Sequence, residues 1–551
     1  MEFRLLAAAF FVLAELAVLT SSFRSSSIRD HGKAFHNIPR NGRYLTLVQA
    51  AQTTDNNFSF INLFAPQKKA EGIMAEEQRR ELGSQELLML PRQYSPNPDV
   101  TFPSLNHVSC AILSATPSES VLKTAVDLVM DAHPLLQSFV EGDGEPDGRI
   151  DLFKMVRKGN PNPCTFVSKP GKFTSSDVLN IVEIEGNDES YLDESWQRSF
   201  HKDLDDGSWC NVEVGPLWKL ELHRFKGSSK NRPCAILFSF NHAISDQSAA
   251  SRLTDQLLST IAEIERGGKV KNPPQKQEIP YSVEESVLGA GQRWSDVQIG
   301  GVSPATIQYV LGKAAEDAKG PVILPDGFSR GGGIVGALTL ISGKAAGGED
   351  ERSLERKSTL QFRTLSKAST LALIEKCREN RVTVTNALSA ALTVTSSDFI
   401  DSGKRVEKER SYKILQSLDM RRFGQQLDKG ETVGCLAGSM DLMHGPLQDR
   451  TGELLRRNPT SKRISDFWKL AKEGKSQTET FIDLEGPKHA VRVFDFAMTV
   501  ADLNNLVHLT AQSKDSQGRA YSAGFTNAGV YEKLGAFRKE GDQQRQAIQV
   551  C

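Results

Sequence analysis

The sequence predicts an α/β (α+β) protein built of two lobes of similar size. Two observations predict this fold class. Helical and strand-like hydrophobic patterns occur together in residues 81–265, and they return in residues 353–551. Between these regions, residues 266–352 are rich in Gly, Lys and Pro, a composition typical of a linker or insertion with only patchy order.

The first lobe, residues 81–265, is predicted from four segments. Its expected elements are helices over 118–131 and 246–265 and strands over 217–223 and 235–240. Ser118 precedes the first helix as a plausible cap, and a pair of glycines at 267–268 ends the second. The strand at 235–240 reads AILFSF, a continuous apolar run that indicates burial on both faces.

The second lobe, residues 353–551, begins with a β-like stretch, STLQFRTL, at 358–365. Its further expected elements are helices over 367–380 and 383–398 and a strand over 412–418. Helices and strands therefore alternate here as they do in the first lobe.

The composition excludes several classes of protein. The chain has 551 residues, of which 39% are hydrophobic and 25% charged, as in ordinary globular proteins. The formal net charge is −1, so the chain lacks the basic excess of a nucleic-acid binder, and we expect no nucleic-acid partner. Its seven cysteines include no C-x-x-C pair, which argues against a disulfide framework and a zinc ribbon, and we expect no metal.

No motif of the sequence favours a phosphate-binding protein or a hydrolase. Residues 331–336 match G-x-G-x-x-G, but a dinucleotide site needs a strand before this motif and a helix after it, and the neighbouring sequence predicts neither. The chain contains no G-x-S-x-G elbow and no Walker lysine loop. We therefore expect no bound cofactor.

The N-terminus is typical of a targeting segment. The apolar run 5–19 is short for a bilayer span and fits a signal peptide or short anchor over 1–22, with an amphipathic or core helix as the alternative. Residues 23–80 begin with a basic, Ser- and Arg-rich stretch, which resembles the two-part leader of algae whose plastids lie inside the endomembrane system. A disordered tail is the alternative. We expect localisation in the secretory pathway or endomembrane, with the plastid as a further destination, and membrane association through 5–19.

The most informative motif is NHAISDQ at 241–247. A histidine at the end of a buried strand, followed four residues later by an aspartate, is one way to hold a general base at an interface. The same spacing occurs at His201 and Asp205, in a segment that predicts an acidic loop. The context of a buried strand and a following helix therefore favours His242 over His201.

NHAISDQ resembles the H-H-x-x-x-D-G signature of the chloramphenicol acetyltransferase-like superfamily, which includes condensation domains, plant acyltransferases and alcohol acetyltransferases. Four further segments resemble family motifs and occur in the family's order. They are HPLL at 133–136, GPLW at 215–218, DMRR at 419–422 and TNAG at 526–529. The plant-type D-F-G-W-G is absent, since Asp495 is followed by Phe-Ala, and the alcohol acetyltransferase branch is the most similar.

The resemblance implies two similar lobes, each a mixed sheet flanked by helices, with a substrate channel between them. It implies an acyltransferase in which His242 is the general base that moves an acyl group from a thioester, acyl-CoA above all, to an alcohol or amine. Asp246 would pair with Arg421 of the other lobe, with Arg422 as the fallback. Asn241 and Asn527 would lie at the channel. The partners implied are small molecules, and we expect a monomer.

The sequence departs from the family pattern at three places. Asn241 replaces the first histidine of the signature, and Gln247 replaces its glycine. The C-terminal lobe is expected to be short, since 22 residues follow Gly529. Two alternatives therefore stay open. One is a catalytically degenerate binding protein on the same scaffold, and the other is a condensation-type domain that uses carrier-bound acyl groups.

Overall fold

A computed structural model describes fourteen segments of the chain. They are 76–90, 105–141, 164–186, 188–227, 231–267, 270, 273–289, 304–317, 359–398, 409–424, 432–448, 451–500, 521–529 and 548–550. The chain divides into two units, Met1–Glu76 and Glu77–Cys551, and the elements below belong to the second. Residues 1–75 of the predicted leader and the G-x-G-x-x-G segment lie outside the described residues, so the leader and its destination stay predictions.

Eleven strands are described. They are β1 (Gln78–Glu81), β2 (Asn106–Leu113), β3 (Ser138–Glu141), β4 (Thr165–Ser168), β5 (Leu179–Ile184), β6 (Trp218–Phe225), β7 (Cys234–Asn241), β8 (Glu409–Asp419), β9 (Ala437–Gln448), β10 (Ala523–Phe525) and β11 (Ile548–Val550).

The described helices are α1 (Ser84–Met89), α2 (Glu119–Ala132), α3 (Ser175–Val178), α4 (Glu189–Asp205), α5 (Gln247–Gly267), α6 (Val283–Leu288), α7 (Pro304–Asp317), α8 (Lys367–Glu379), α9 (Val384–Ser396), α10 (Thr451–Arg457), α11 (Ser461–Asp483) and α12 (Gly486–Val500). Two short 3-10 helices, Pro134–Gln137 and Met420–Arg422, follow α2 and β8.

The first lobe is built on a mixed five-stranded sheet of order β11-β2-β7-β6-β5. All its neighbours are antiparallel except β5 and β6. Strand β7 is buried along its whole length because both faces of the sheet are covered. Ile236, Phe238 and Phe240 face the largest core, whereas Ala235 and Leu237 face the core beneath α4.

The second lobe has a mixed three-stranded sheet of order β10-β8-β9, in which β10 and β8 are parallel and β8 and β9 antiparallel. Helices α9 and α11 share a core that includes Ala390 and Leu470. Val433 and Cys435, which precede β9, belong to the largest core of the first lobe. The two lobes are therefore packed together at this segment. The mixed sheets confirm the predicted fold class.

Beside the first lobe, a small antiparallel sheet of order β1-β4-β3 covers one end of the largest core. Phe166 of β4 is fully buried in that core. Strand β1 begins at Gln78, slightly before the predicted boundary of the first lobe at residue 81.

The predicted helices and strands of the first lobe are confirmed, and each lies within a few residues of its expected bounds. Ser118 Oγ accepts a hydrogen bond from Val121 N at 3.4 Å, as expected of a cap. Two predicted motif segments also meet, because Trp218 Nε1 of GPLW donates to Leu136 O of HPLL at 3.0 Å.

The β-like stretch at 358–365 is not a strand where it is described, from residue 359 onward. Its alternation has another cause. Leu360 and Phe362 both pack on the core beneath α4, and the Phe362 ring lies 4.8 Å from that of Trp196, centroid to centroid. The segment thus partly buries alternate side chains against a helix and pairs with none of the described strands.

The segment 266–352 is not only a linker. Its described part includes α6 and α7, and both pack into the protein. Val283 and Val287 of α6 are buried against Met420 and Leu436 of the second lobe. The composition hid these helices because short runs of apolar residues lie between glycine- and lysine-rich stretches.

The C-terminus also differs from the domain prediction. Strand β11 pairs with β2, with Gln549 opposite Ala111, so it completes the sheet of the first lobe although 353–551 was assigned to the second. Within the described ranges no helix is both long and apolar enough to cross a bilayer.

Candidate active site

The site lies where β7 ends, at a turn that presents His242. Asn241 N donates to Leu217 O at 2.8 Å, and the Asn241 side-chain oxygen accepts from Ala243 N at 2.9 Å. His242 N donates to Leu105 O at 3.1 Å. Asn241 and Ala243 are fully buried, whereas His242 is half-buried. Hydrogen bonds therefore hold the backbone of this turn, and His242 is the residue of the turn that is partly exposed.

Asp246 closes the same turn at the start of α5. Its Oδ1 accepts from Ala249 N at 2.9 Å, which is the geometry of a helix cap. Its Oδ2 accepts from Arg421 Nη1 at 2.8 Å and from Leu436 N at 2.8 Å, both in the second lobe. Burial acts to raise the pKa of Asp246, but the Arg421 guanidinium and the two backbone N–H groups outweigh it and lower the pKa.

Arg421 is itself held by several acceptors. Its Nη2 donates to Gly434 O at 2.9 Å, and its Nη1 also lies 3.1 Å from Asp419 Oδ1. Ser248 Oγ of α5 donates to Asp419 Oδ2 at 3.0 Å. The side chains of Arg421 and Asp246 are only 5% and 7% exposed, so this is a buried, fully hydrogen-bonded joint between the lobes.

Cys435 brings the second lobe into contact with His242. Its Sγ lies 3.6 Å from His242 Nδ1 and 3.9 Å from Met89 Sδ. Burial, with the charge of Asp246 as a smaller cause, raises the pKa of the Cys435 thiol far above its ordinary value. Cys435 is therefore a neutral thiol that packs against one ring nitrogen of His242.

A second imidazole lies beside His242. His107 of β2 has its ring centroid 5.6 Å from that of His242 and stacks on Phe240 at 5.9 Å. Its Nδ1 is 3.2 Å from Ser245 Oγ and its Nε2 is 3.3 Å from Gln247 Oε1. Desolvation, together with repulsion from His242, lowers the pKa of His107 to about 4.

His107 and Cys435 were not predicted from the sequence. Neither has a motif signal, because each is an isolated residue of its type. His107 reaches the site only through the antiparallel pairing of β2 and β7, which sets it opposite Phe240. Cys435 reaches it through the packing of the two lobes.

The remaining predicted residues are Asn241, Asn527 and Arg422. Asn241 is buried within its own turn. Asn527 is on the surface after β10, where its Nδ2 donates to Thr385 Oγ1 at 2.9 Å. Arg422, the fallback partner of Asp246, is exposed. A place for Asn241 and Asn527 at a substrate channel stays a prediction.

His201 and Asp205 form the second H-x-x-x-D pair. They lie in α4 and not in a loop as expected, since the helix continues to Asp205. His201 Nε2 is 3.9 Å from Asp205 Oδ2 across one helical turn, and His201 is exposed. This pair is an ordinary surface pair. Within the described ranges no cluster of three or more His, Cys, Asp or Glu residues could hold a metal ion.

No protein-family model matches this sequence, and no curated protein matches it. Solved structures do match. The TRI3 trichothecene 15-O-acetyltransferase from Fusarium sporotrichioides aligns with a TM-score of 0.55 at 11% identity, covering 87% of this chain and 86% of that one. The chain has the chloramphenicol acetyltransferase-like fold. At this identity the likeness is one of fold.

Two more solved structures align less closely. Polyketide synthase associated protein 5 from Mycobacterium tuberculosis has a TM-score of 0.46 at 13% identity, with 86% of each chain covered. The first condensation domain of the CDA synthetase has a TM-score of 0.45 at 13% identity, with 74% of this chain and 75% of that one covered.

Proposed function

We propose that this protein is an acyltransferase that moves an acyl group from a thioester to an alcohol or amine, with His242 as the general base. One observation carries the proposal. A half-buried imidazole is held at the junction of the two lobes by a rigid turn, and the buried Asp246–Arg421 pair fixes that turn to the second lobe. The acetyltransferase activity in the name of the TRI3 structure agrees with this reading.

The position of Cys435 favours Nε2 of His242 as the basic atom. Nδ1 packs against the Cys435 sulfur, so Nε2 is the nitrogen that would face a substrate. If Nδ1 carries the ring hydrogen, Nε2 has the lone pair that a general base needs. The thiol of Cys435 stays protonated and so does not compete as a nucleophile.

The reaction then needs no covalent enzyme intermediate. The acceptor hydroxyl or amine gives its proton to Nε2 of His242 while its oxygen or nitrogen bonds to the thioester carbonyl carbon. The resulting tetrahedral intermediate collapses with cleavage of the C–S bond. The leaving sulfur takes the proton from the His242 imidazolium, which leaves an ester or amide, a free thiol and a neutral histidine.

Asp246 has a positioning role in this proposal. Its carboxylate accepts three hydrogen bonds, one of which is the ion pair with Arg421, so it is committed to the joint between the lobes and is not a proton donor. Replacement of Asp246 would remove the hydrogen bonds that hold the start of α5 and the turn that carries His242. We further propose acyl-CoA as the donor, with a carrier-bound acyl group as the alternative.

The test is release of free thiol by the full chain with a panel of acyl-CoAs of increasing chain length and a panel of alcohols and amines. We expect His242→Ala to lower turnover by about 10²–10⁴-fold, the usual contribution of a general base. A parallel series with acyl groups on a carrier protein distinguishes the two donors.

His201→Ala is the matched control, because His201 has the same H-x-x-x-D spacing but lies exposed on α4. It should leave turnover unchanged. Equal thiol release by wild type and His242→Ala would reject the proposal. Binding of acyl-CoA without any turnover would identify a degenerate binding protein on the same fold.

A further inference from the structure

Gln247 occupies the position of the glycine in the family signature, and its side chain makes two polar contacts. It is the first residue of α5, and its Oε1 lies 3.3 Å from His107 Nε2. Its own Nε2 donates to Ser251 Oγ at 3.3 Å, one turn further along the helix. The amide is therefore oriented by the helix and directed at a ring that contacts His242.

The partners of His107 define its tautomer. An amide oxygen only accepts, so the hydrogen of the His107 ring belongs on Nε2. Nδ1 is then the acceptor nitrogen and lies 3.2 Å from Ser245 Oγ, whose hydroxyl also has Asp246 O as an acceptor at 3.3 Å. Stacking on Phe240 covers one face of the ring. Two hydrogen bonds and one stacked contact thus determine the orientation of His107.

We infer that His107 and Gln247 are a pair of positioning residues that hold the imidazole of His242 in its working orientation. The inference rests on the proposed function. The argument is geometric: β2 supplies His107, α5 supplies Gln247, and the His107 ring lies against the ring of His242 with centroids 5.6 Å apart. The low pKa of His107 agrees with it, because a neutral neighbour does not repel the proton that His242 takes up.

Gln247 then supports catalysis, although its replacement of the signature glycine is one reason to consider a catalytically degenerate protein. A glycine at position 247 would leave His107 Nε2–H without its acceptor and would let the ring turn about χ2. The support for His242 would then loosen, and small errors in the position of a catalytic group reduce rates strongly.

The first test is kinetic and uses thiol release by the full chain. We expect Gln247→Gly and His107→Phe each to lower kcat about 10-fold with KM changed less than about 2-fold. The double variant should be no worse than the poorer single variant, because both changes remove the same interaction. His107→Gln, which can still donate to Gln247, should recover part of kcat. His201→Phe is the control for replacing a histidine.

The second test does not depend on activity. NMR of the ring nitrogens in protein labelled with ¹⁵N-histidine should show His107 in the Nε2–H tautomer at pH 7, and a mixture of tautomers in Gln247→Gly. A mixed tautomer in the wild type, or multiplicative losses of kcat in the double variant, would overturn the inference.

The two proposals can fail separately. Turnover that depends on His242 but is unchanged in both His107→Phe and Gln247→Gly rejects the positioning role and leaves the acyltransferase intact. Absence of any turnover dependent on His242 rejects the proposed function and the positioning role with it, even where the NMR tautomer is as expected.

Discussion

Arg421 Nη1 lies 2.8 Å from Asp246 Oδ2, and this ion pair joins the 3-10 helix after β8 to the first turn of α5. The bond links residues from the two lobes. Asp246 lies four residues after His242 in the sequence. The same carboxylate oxygen accepts from Leu436 N, next to Cys435. The contacts that pack the two lobes together therefore also hold the turn that presents His242.

Arg421→Met should destabilise the protein by about 3–5 kcal/mol, because it leaves the Asp246 carboxylate buried without its cation. Urea unfolding at pH 7 followed by tryptophan fluorescence measures the loss. Arg422→Met is the matched control, since Arg422 is adjacent but exposed, and it should change the unfolding free energy by less than about 0.5 kcal/mol. Equal effects of the two changes would contradict a special role for the pair.

Glu284 should make stability fall as the pH rises. Burial, with the nearby carboxylates of Asp495 and Glu86, raises the pKa of Glu284 to about 7. The folded protein thus prefers the protonated acid, and the stability this gives is complete below about pH 4.5 and lost as the pH rises through 7.

Glu284→Gln should remove this pH dependence and raise the unfolding free energy at pH 8, by about 3 kcal/mol at most. The amide keeps the oxygen that accepts from Gln85 N. Thermal unfolding at pH 5, 6, 7 and 8 measures the effect, with the exposed Glu375→Gln as control. An unchanged slope of Tm against pH in Glu284→Gln would show that another group is responsible.

Trp218 should be a major contributor to the core of the first lobe. It is 2% exposed, stacks near Phe238 and Phe240, and donates from Nε1 to Leu136 O. Trp218→Ala should cost about 3–5 kcal/mol through the cavity it leaves. Trp218→Phe keeps a ring but loses the hydrogen bond, so its cost should be distinctly smaller. Chemical denaturation ranks the two variants, and equal costs would mean that the ring does not contribute.

Lys413 should anchor helix α7, which lies in the stretch expected to be a linker. Its Nζ is 2.6 Å from Asp317 Oδ1 of α7 and 3.4 Å from Asp441 Oδ2 of β9, and its side chain is 4% exposed. Lys413→Met should cost about 3–5 kcal/mol, because it removes this cation from the buried Asp317 carboxylate, whereas Asp441 keeps Lys313 Nζ at 3.4 Å.

Lys462→Met is the control for that change. Lys462 pairs with Asp466 on α11 but is 84% exposed, so its loss should cost less than about 1 kcal/mol. Limited proteolysis between residues 289 and 317 gives a second readout, since Lys413→Met should accelerate cleavage there. Cleavage at the wild-type rate would show that α7 is held by other contacts.

The helices and strands that could be predicted from the sequence are those in which apolar residues recur at regular spacing. Helices α2 and α5 bury one regular face, and β7 is buried on both faces, so spacing of apolar residues revealed all three. The stretch around Phe362 was wrongly predicted to be a strand. Alternating apolar residues indicate that alternate side chains are buried, but they do not show whether a strand or a helix covers them.

The candidate site was predictable only where its residues share a motif. His242 and Asp246 lie in one turn that resembles a family signature, and the resemblance of residues 419–422 to a second family motif extended the prediction to Arg421. His107 and Cys435 contact His242 from distant parts of the chain, and no local pattern distinguishes them.

The sequence by itself determined the helices and strands of two α/β lobes and the turn that carries His242, because periodicity and turn composition are local properties. The pairing of Asp246 with Arg421 was implied by the resemblance of residues 241–247 and 419–422 to family motifs. Only the tertiary structure decided that α6 and α7 belong to the body, that β11 completes the sheet of the first lobe, and that Gln247 supports His107. The reason is that strand register and lobe packing depend on contacts between distant residues, which local sequence patterns do not encode.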